Sequence, residues 1–173
     1  VPGLSTDILL MGVNVTIGTD GHYSALANEI VFGFGNSTLV ISKESSLITK
    51  GNFTVNAGTT ITLNSDSNEF ASLIVNGSAS GNITYKRYVN TAVDSGSNEW
   101  DLVGSPVDGL SISSFVTTNS SAIATSGSTY ALGYYDNSND SWTNYTTSTA
   151  GGAGNFTLGK GYQMASASGA TMA

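Results

Sequence analysis

Short apolar segments recur along residues 36–85, each flanked by Ser, Thr, Asn and Gly. Within most of these segments, apolar positions are two residues apart, which is the period of a β-strand with one buried face. Strands this short bury little apolar surface alone, so we predict a ladder of strands that gains its core when one rung stacks on the next. The segments are residues 39–41, 47–48, 53–55, 61–63, 73–75 and 83–85.

The pattern differs at both ends of this ladder. Residues 7–17 predict an opening pair of strands. Beyond residues 86–90 the apolar runs are longer, more aromatic and more widely spaced, which predicts a second all-β unit. We therefore predict an all-β chain with a short-rung β-solenoid in residues 1–87 and a β-sandwich-like unit in residues 88–173. The strands expected in the second unit are residues 100–103, 112–116, 130–135, 142–145, 156–158 and 162–164.

Composition narrows the classes of protein and partner. The 173 residues are 39% hydrophobic, which is enough for a packed core, but only 10% are charged, as is typical of exported, strand-rich proteins. A net charge of -7 with five scattered Lys and Arg residues argues against nucleic acid as a partner. No run of about 18 apolar residues occurs, which predicts no membrane insertion. The absence of Cys excludes disulfides and thiolate metal sites.

One acidic segment is a candidate calcium site. Asp136, Ser138 and Asp140 place oxygen side chains at alternate positions, like the start of a calcium loop. Such a loop also requires Gly at its sixth position and Glu at its twelfth, where this chain has Ser141 and Thr147. The alternative is a hairpin tip in which Asp and Asn side chains bind turn amides. Ca²⁺ is the only cofactor for which the sequence offers a candidate.

Aromatic residues in the second unit are candidates for a ligand or protein interface. Tyr134, Tyr135, Trp142 and Tyr145 lie close in sequence, and Tyr and Trp are the side chains that stack on sugar rings or anchor interfaces. The alternative is that they form core and cross-strand pairs.

Candidate catalytic groups are few. Glu99 and Asp101 flank Trp100, and on a strand the two acids share a face at about 7 Å, a spacing compatible with glycoside hydrolysis. No third polar partner accompanies them. His22 is the only histidine, so a multi-histidine metal site is excluded, and we expect a solvated turn residue there. We predict that the chain is not an enzyme and has no catalytic residue.

Four segments of the chain carry a recognisable series of motifs: residues 72–89, 99–109, 122–145 and 156–164. In this order they are similar to a module of secreted Bacteroidetes surface and adhesin-type proteins. In that module a β-solenoid leads into a β domain with the motifs W-x-L-V-x-S-P-V, Y-D-x5-W and G-K-G-Y. The resemblance implies export of a longer precursor by the type IX system, commonly with a separate C-terminal sorting domain.

These observations predict a non-enzymatic structural or adhesive module of a secreted, cell-surface protein. Its expected partners are copies of itself arranged head to tail or other cell-surface proteins, with glycans as a further candidate. Two alternatives are a self-assembling extracellular filament subunit and a carbohydrate-binding module. A solenoid polysaccharide lyase would need bases and acidic calcium ligands clustered on one rung face, and the ladder shows no such cluster in its sequence.

Overall fold

The all-β prediction is confirmed in a computed structural model, which describes residues 7–10, 12–19, 22–32, 35–92 and 99–173. The side chains of residues 7 and 9 are not described. The chain divides into two compact units, Val1–Arg87 and Tyr88–Ala173, here called unit 1 and unit 2.

Unit 1 consists of short strands joined by turns. Most contain four residues, and their Thr, Ile, Leu and Val content favours the extended backbone. The strands are β1 (Asp7–Leu10), β2 (Asn14–Ile17), β3 (Ser24–Ala27), β4 (Glu29–Phe32), β5 (Thr38–Ile41), β6 (Ser46–Thr49), β7 (Phe53–Thr54), β8 (Thr60–Leu63), β9 (Ser72–Val75), β10 (Ala79–Ser80) and β11 (Thr84–Tyr85).

These strands pair only in parallel, in three sheets that each take every third strand. Sheet A has the order β1-β4-β7-β10, sheet B has β11-β8-β5-β2, and sheet C has β3-β6-β9. One coil of the chain thus contributes one strand to each sheet. Equivalent residues of successive coils lie 22 to 26 positions apart, as at Ser24 and Ser46 or Asn52 and Ser78. The two opening strands, β1 and β2, lie in different sheets and do not pair with each other.

The alternation within each segment decides which side chains form the core of unit 1. In β5, Leu39 and Ile41 are buried while Val40 is only partly so, and β8 repeats the pattern with Ile61 and Leu63. The predicted inward pairs are confirmed at these strands. Because the strands are in register, residues of equal position stack from coil to coil into one continuous apolar core.

Asparagine side chains in the turns tie neighbouring coils together. Asn76 Nδ2 donates a hydrogen bond to the Thr49 carbonyl at 3.0 Å, and Asn52 Oδ1 accepts one from the Ser78 amide at 3.0 Å. The bond to Asn52 gives the Ser78 amide a partner in the turn, whereas the Asn76 side chain adds a second bond to a carbonyl that the Asn76 amide also contacts.

Unit 2 is built around one antiparallel sheet. This sheet has five strands, β13-β17-β15-β14, with β16 paired to β15, and a two-stranded ribbon joins β12 to β18. The β-sandwich-like description of this unit stays a prediction. The elements are β12 (Arg87–Val89), β13 (Asp101–Gly104), α1 (Ile112–Thr118), β14 (Thr125–Ser126), β15 (Thr129–Asp136), β16 (Ser141–Thr146), a 3-10 helix (Ala150–Gly152), β17 (Gly161–Met164) and β18 (Ala170–Met172).

Two of the strands expected in unit 2 are wrong. Residues 112–116 belong to helix α1, whose N-terminus is capped by Ser111 Oγ accepting a hydrogen bond from the Ser114 amide. Its buried residues, Ile112, Phe115 and Val116, have the spacing of a helix face. Residues 156–158 form no strand but a loop.

The core of unit 2 contains a chain of aromatic rings in edge-to-face contact. Phe115 contacts Phe156 at a ring-centroid distance of 5.4 Å, and Phe156 contacts Tyr162 at 4.9 Å. Helix α1, the 156–158 loop and β17 are thereby joined beside the sheet.

Candidate ligand-binding site

An open cavity of about 440 Å³ lies in unit 2. Tyr134, Tyr145 and Tyr162 form much of its wall, and Asn144 and Lys160 add polar groups. Its volume is within the range of small-molecule sites, and its mixture of aromatic faces with a few polar groups is typical of them.

The β15–β16 hairpin positions two of these tyrosines. Tyr134 lies opposite Thr143 in the antiparallel register, so Tyr145 is its diagonal neighbour. The Tyr134 and Tyr145 ring centroids are 5.7 Å apart, with an angle of 44° between the planes. Position 133 must be Gly, because a Cβ there would lie 2.3 Å from Asn144 Oδ1 and 2.4 Å from the Thr143 carbonyl oxygen. The strands can therefore approach closely beside the cavity.

Lys160 gives the cavity a positive charge. Its Nζ atom lies 4.1 Å from the centroid of the Tyr134 ring and 5.7 Å from that of Tyr162, both within the range of a cation–π contact. Residues 88–173 contain six Asp or Glu residues, and Lys160 is their only Lys or Arg. The single cation of an acidic unit thus lies in this cavity.

Tyr145 stays protonated over the whole neutral range. Burial, followed by the neighbouring Tyr162 and Tyr134, raises the pKa of Tyr145 to about 12. The hydroxyls of Tyr134 and Tyr145 form no hydrogen bond with other described residues. A ligand in the cavity would therefore find two tyrosine hydroxyls that can donate and accept hydrogen bonds.

The other two predicted aromatics form a separate pair. Tyr135 and Trp142 are direct cross-strand partners with ring centroids 5.3 Å apart, and they are 37% and 43% exposed. Side chains alternate along a strand, so this pair lies on the sheet face opposite Tyr134. The four aromatics predicted as one group are therefore two pairs on opposite faces. Their role in ligand binding stays a prediction.

The acidic residues of the calcium candidate make hydrogen bonds within the hairpin. Asp136 Oδ1 accepts hydrogen bonds from the Ser138 amide at 2.9 Å and the Ser138 hydroxyl at 2.7 Å, which lower the pKa of Asp136. The Tyr135 hydroxyl donates to Asp140, and this bond raises the pKa of Tyr135. Hydrogen bonds of this kind stabilise the turn between β15 and β16. Calcium binding by Asp136, Ser138 and Asp140 stays a hypothesis.

The acids beside Trp100 also have structural partners. Asp101 Oδ2 accepts a hydrogen bond from the Asn90 amide at 2.7 Å, and Oδ1 accepts one from Asn90 Nδ2 at 3.1 Å. Glu99 is exposed. Asp101 thus ties the backbone just after β12 to the start of β13.

A further group of possible ligands was missed by sequence reasoning. His22 Nε2 lies 3.7 Å from Glu44 Oε2, and one ligand atom each of His22, Glu44 and Glu69 lie within 4.8 Å of one another. The three residues are separated in sequence by intervals that match the coil length. That spacing is the one sequence feature that could have grouped the three residues, but it can be recognised only when the length of a coil is known.

Comparison with known proteins gives no match: no protein-family model, no curated protein and no solved structure is significantly similar to this chain. None of the helices formed by the described residues has the length and apolar character needed to span a membrane.

Proposed function

We propose that this chain is a non-enzymatic structural and adhesive module of a secreted bacterial cell-surface protein, of the Bacteroidetes adhesin type. In this proposal unit 1 is a β-solenoid stalk, and unit 2 makes the adhesive contact. The observation that carries it is the parallel stacking of coils in unit 1, which forms a scaffold from backbone bonds and apolar contacts.

Backbone hydrogen bonds between coils support the mechanical part of the proposal. The Ser46 amide donates to the Tyr23 carbonyl at 2.8 Å, and the Ser72 amide donates to the Ser45 carbonyl at 3.0 Å. The same relation recurs where the Thr60 amide donates to the Ser37 carbonyl at 2.9 Å. Each coil is held to the next by such bonds, so a force must break several of them together.

Adhesion is tested with the purified chain on surfaces coated with a panel of glycans and with cell-surface protein extracts. Light scattering during size exclusion gives the oligomeric state in the same preparation. We expect a monomer of 17.7 kDa that is retained on at least one coated surface. A monomer that binds none of the surfaces contradicts the adhesive role.

The cavity lined by Tyr134, Tyr145 and Lys160 favours carbohydrate recognition as the form of adhesion. Sugar rings present C–H faces that stack on aromatic rings and hydroxyls that need hydrogen-bond partners. The Lys160 ammonium favours a saccharide that carries a carboxylate or sulfate group.

The chain offers a matched control for this binding. Tyr134→Ala should lower the affinity for a retained glycan at least about tenfold, which corresponds to about 1.4 kcal/mol. Tyr135→Ala removes the same side chain from the opposite face and should leave the affinity unchanged. Equal losses in both variants, or a loss only in Tyr135→Ala, would exclude the cavity as the binding site.

A filament subunit is the second candidate function. Sheet order puts β1, β2 and β3 at one end of the three sheets of unit 1, and β10, β11 and β9 at the other. Edge strands present backbone donors and acceptors to a further chain, so head-to-tail pairing would extend the coil stack. Regular fibres in negative-stain images, with mass that grows with concentration, would establish this function in place of the monomeric module.

A further inference from the structure

We infer that His22, Glu44 and Glu69 bind a divalent transition-metal ion of the Zn²⁺ class, which links three successive coils of unit 1. Each residue lies two or three positions before a strand of sheet C: His22 before β3, Glu44 before β6 and Glu69 before β9. These strands are in register, since Ser24 pairs with Ser46, and Ser46 with Ser72. The parallel stacking therefore brings three distant side chains to one corner.

The distances need only small adjustments to surround an ion. Zn²⁺ binds imidazole nitrogen and carboxylate oxygen at about 2.0–2.2 Å, so ligand atoms around it are about 3.3 Å apart. The His22 and Glu44 atoms are already 3.7 Å apart, and all three ligand atoms lie within 4.8 Å. The His22 side chain is 79% exposed and free to rotate towards the two carboxylates.

The Glu69 carboxylate supplies an independent reason to expect a cation. Its Oε2 atom is buried and has no hydrogen-bond partner within the part of the chain that the structure describes. A buried charged oxygen without a partner is costly, and a metal ion bound there would remove that cost. Asp66 holds this segment in place, because its Oδ1 accepts hydrogen bonds from the Asn68 and Glu69 amides at 3.0 Å each.

The nearby lysine does not neutralise the two glutamates. Lys43 forms its ion pair with Asp66 rather than with either glutamate. The formal charges of Lys43, Glu44, Asp66 and Glu69 sum to -2, from one lysine and three carboxylates. A divalent cation matches that charge.

The donor set selects the class of ion. Ca²⁺ and Mg²⁺ are bound by oxygen, commonly with six or more ligands, whereas Zn²⁺ and its neighbours accept an imidazole with carboxylates and complete the shell with water. One imidazole and two carboxylates therefore favour Zn²⁺, Co²⁺ or Ni²⁺.

Isothermal titration of the full chain with ZnCl₂ tests the site. We expect one ion per chain, and a loss of affinity of at least about tenfold in each of His22→Ala, Glu44→Gln and Glu69→Gln, since even outer-shell changes at metal sites cost about that much. Glu99→Gln is the matched control, because it removes one exposed carboxylate from unit 2 and should bind as the wild type does.

Thermal unfolding separates metal binding from a structural role of the same residues. Without metal, Glu69→Gln should unfold at the same temperature as the wild type or higher, since the neutral amide removes the charge from a group with one buried, unpartnered oxygen. Added ZnCl₂ should raise the unfolding temperature of the wild type and of Glu99→Gln equally, and raise that of Glu69→Gln by less.

Three results would contradict the proposed metal site. The first is that the wild type shows no saturable Zn²⁺ binding. The second is that all three variants bind as the wild type does. The third is that binding depends on the glutamates but survives in His22→Ala. Binding of CaCl₂ as tight as that of ZnCl₂ would also contradict the assigned role of the imidazole.

Discussion

Replacing Gly77 by Ala tests the close stacking of coils at the corner between sheets C and A. A methyl group at position 77 would lie 2.5 Å from the carbonyl carbon of Gly51 and 2.6 Å from its oxygen. Both are backbone atoms of the preceding coil, so no side chain can rotate away to make room. The turn between β9 and β10 must move outward instead.

The cost follows from the hydrogen bonds that this movement breaks. The Gly77 amide donates to the Gly51 carbonyl at 3.2 Å, and the Phe53 amide donates to the Ser78 carbonyl at 2.9 Å. The Ser78 amide also donates to Asn52 Oδ1 at 3.0 Å. Each bond contributes about 1 kcal/mol to stability, so Gly77→Ala should lower the free energy of unfolding of unit 1 by about 1 to 3 kcal/mol.

Urea unfolding followed by two probes measures this loss. Far-UV circular dichroism reports both units, whereas Trp fluorescence reports unit 2 alone, because Trp100 and Trp142 both lie there. With an m-value of about 1.5 kcal/mol per molar urea, the dichroism midpoint of unit 1 should fall by about 0.7 to 2 M.

The control is Gly151→Ala, since a Cβ at position 151 meets no atom within 4 Å. We expect a change of no more than about 1 kcal/mol in that variant, most of it through the unfolded chain. If Gly77→Ala unfolds at the wild-type midpoint, the coils are not in contact at this corner and the stacking argument is refuted.

Three further predictions concern single side chains. Phe53→Ala should lower the free energy of unfolding by about 3 to 5 kcal/mol, because Phe53 is 1% exposed. Phe70 is 51% exposed, so Phe70→Ala should lower it by less than about 1 kcal/mol. Equal urea midpoints for the two variants would contradict the assigned core. The pKa of Tyr145 rises from 10.0 in the unfolded chain to about 12 in the fold. The protein therefore has its full stability below pH 10 and loses part of it as the pH rises to 12, because the unfolded chain ionises first. Screening by water in the open cavity limits the loss in free energy of unfolding to about 1 to 2 kcal/mol. Fluorescence-monitored unfolding at about pH 9 and pH 11 checks it, and Tyr145→Phe should remove that part of the pH dependence. Ser111→Ala should destabilise unit 2 by about 1 kcal/mol through loss of the cap, and Ser111→Thr, which keeps a capping hydroxyl, should restore most of it in the same assay.

Helix α1 shows how far local pattern can mislead. Residues 112–116 are apolar at both ends, which is compatible with a strand, yet Ile112, Phe115 and Val116 also have helical spacing. A run this short satisfies both periods. The Ser111 cap and the contact between Phe115 and Phe156 favour the helix.

The candidate sites depend still more on tertiary structure. Tyr134 and Tyr135 are adjacent in sequence, but strand alternation puts only one of them in the cavity, beside a lysine from a different segment. His22, Glu44 and Glu69 come together only through coil stacking. Neither grouping follows from composition or from any local motif.

The sequence by itself determined the all-β class, the short length of the strands in unit 1, the inward pairs such as Leu39 and Ile41, and the change of pattern near residue 86. These properties depend on alternation and turn residues, which act over a few positions. Only the tertiary structure decided which strands pair, because parallel partners lie 22 to 26 residues apart and strand propensity does not encode the partner. The cavity and the His22 group result from that long-range pairing and from the packing of loops, so they emerge only in the folded chain.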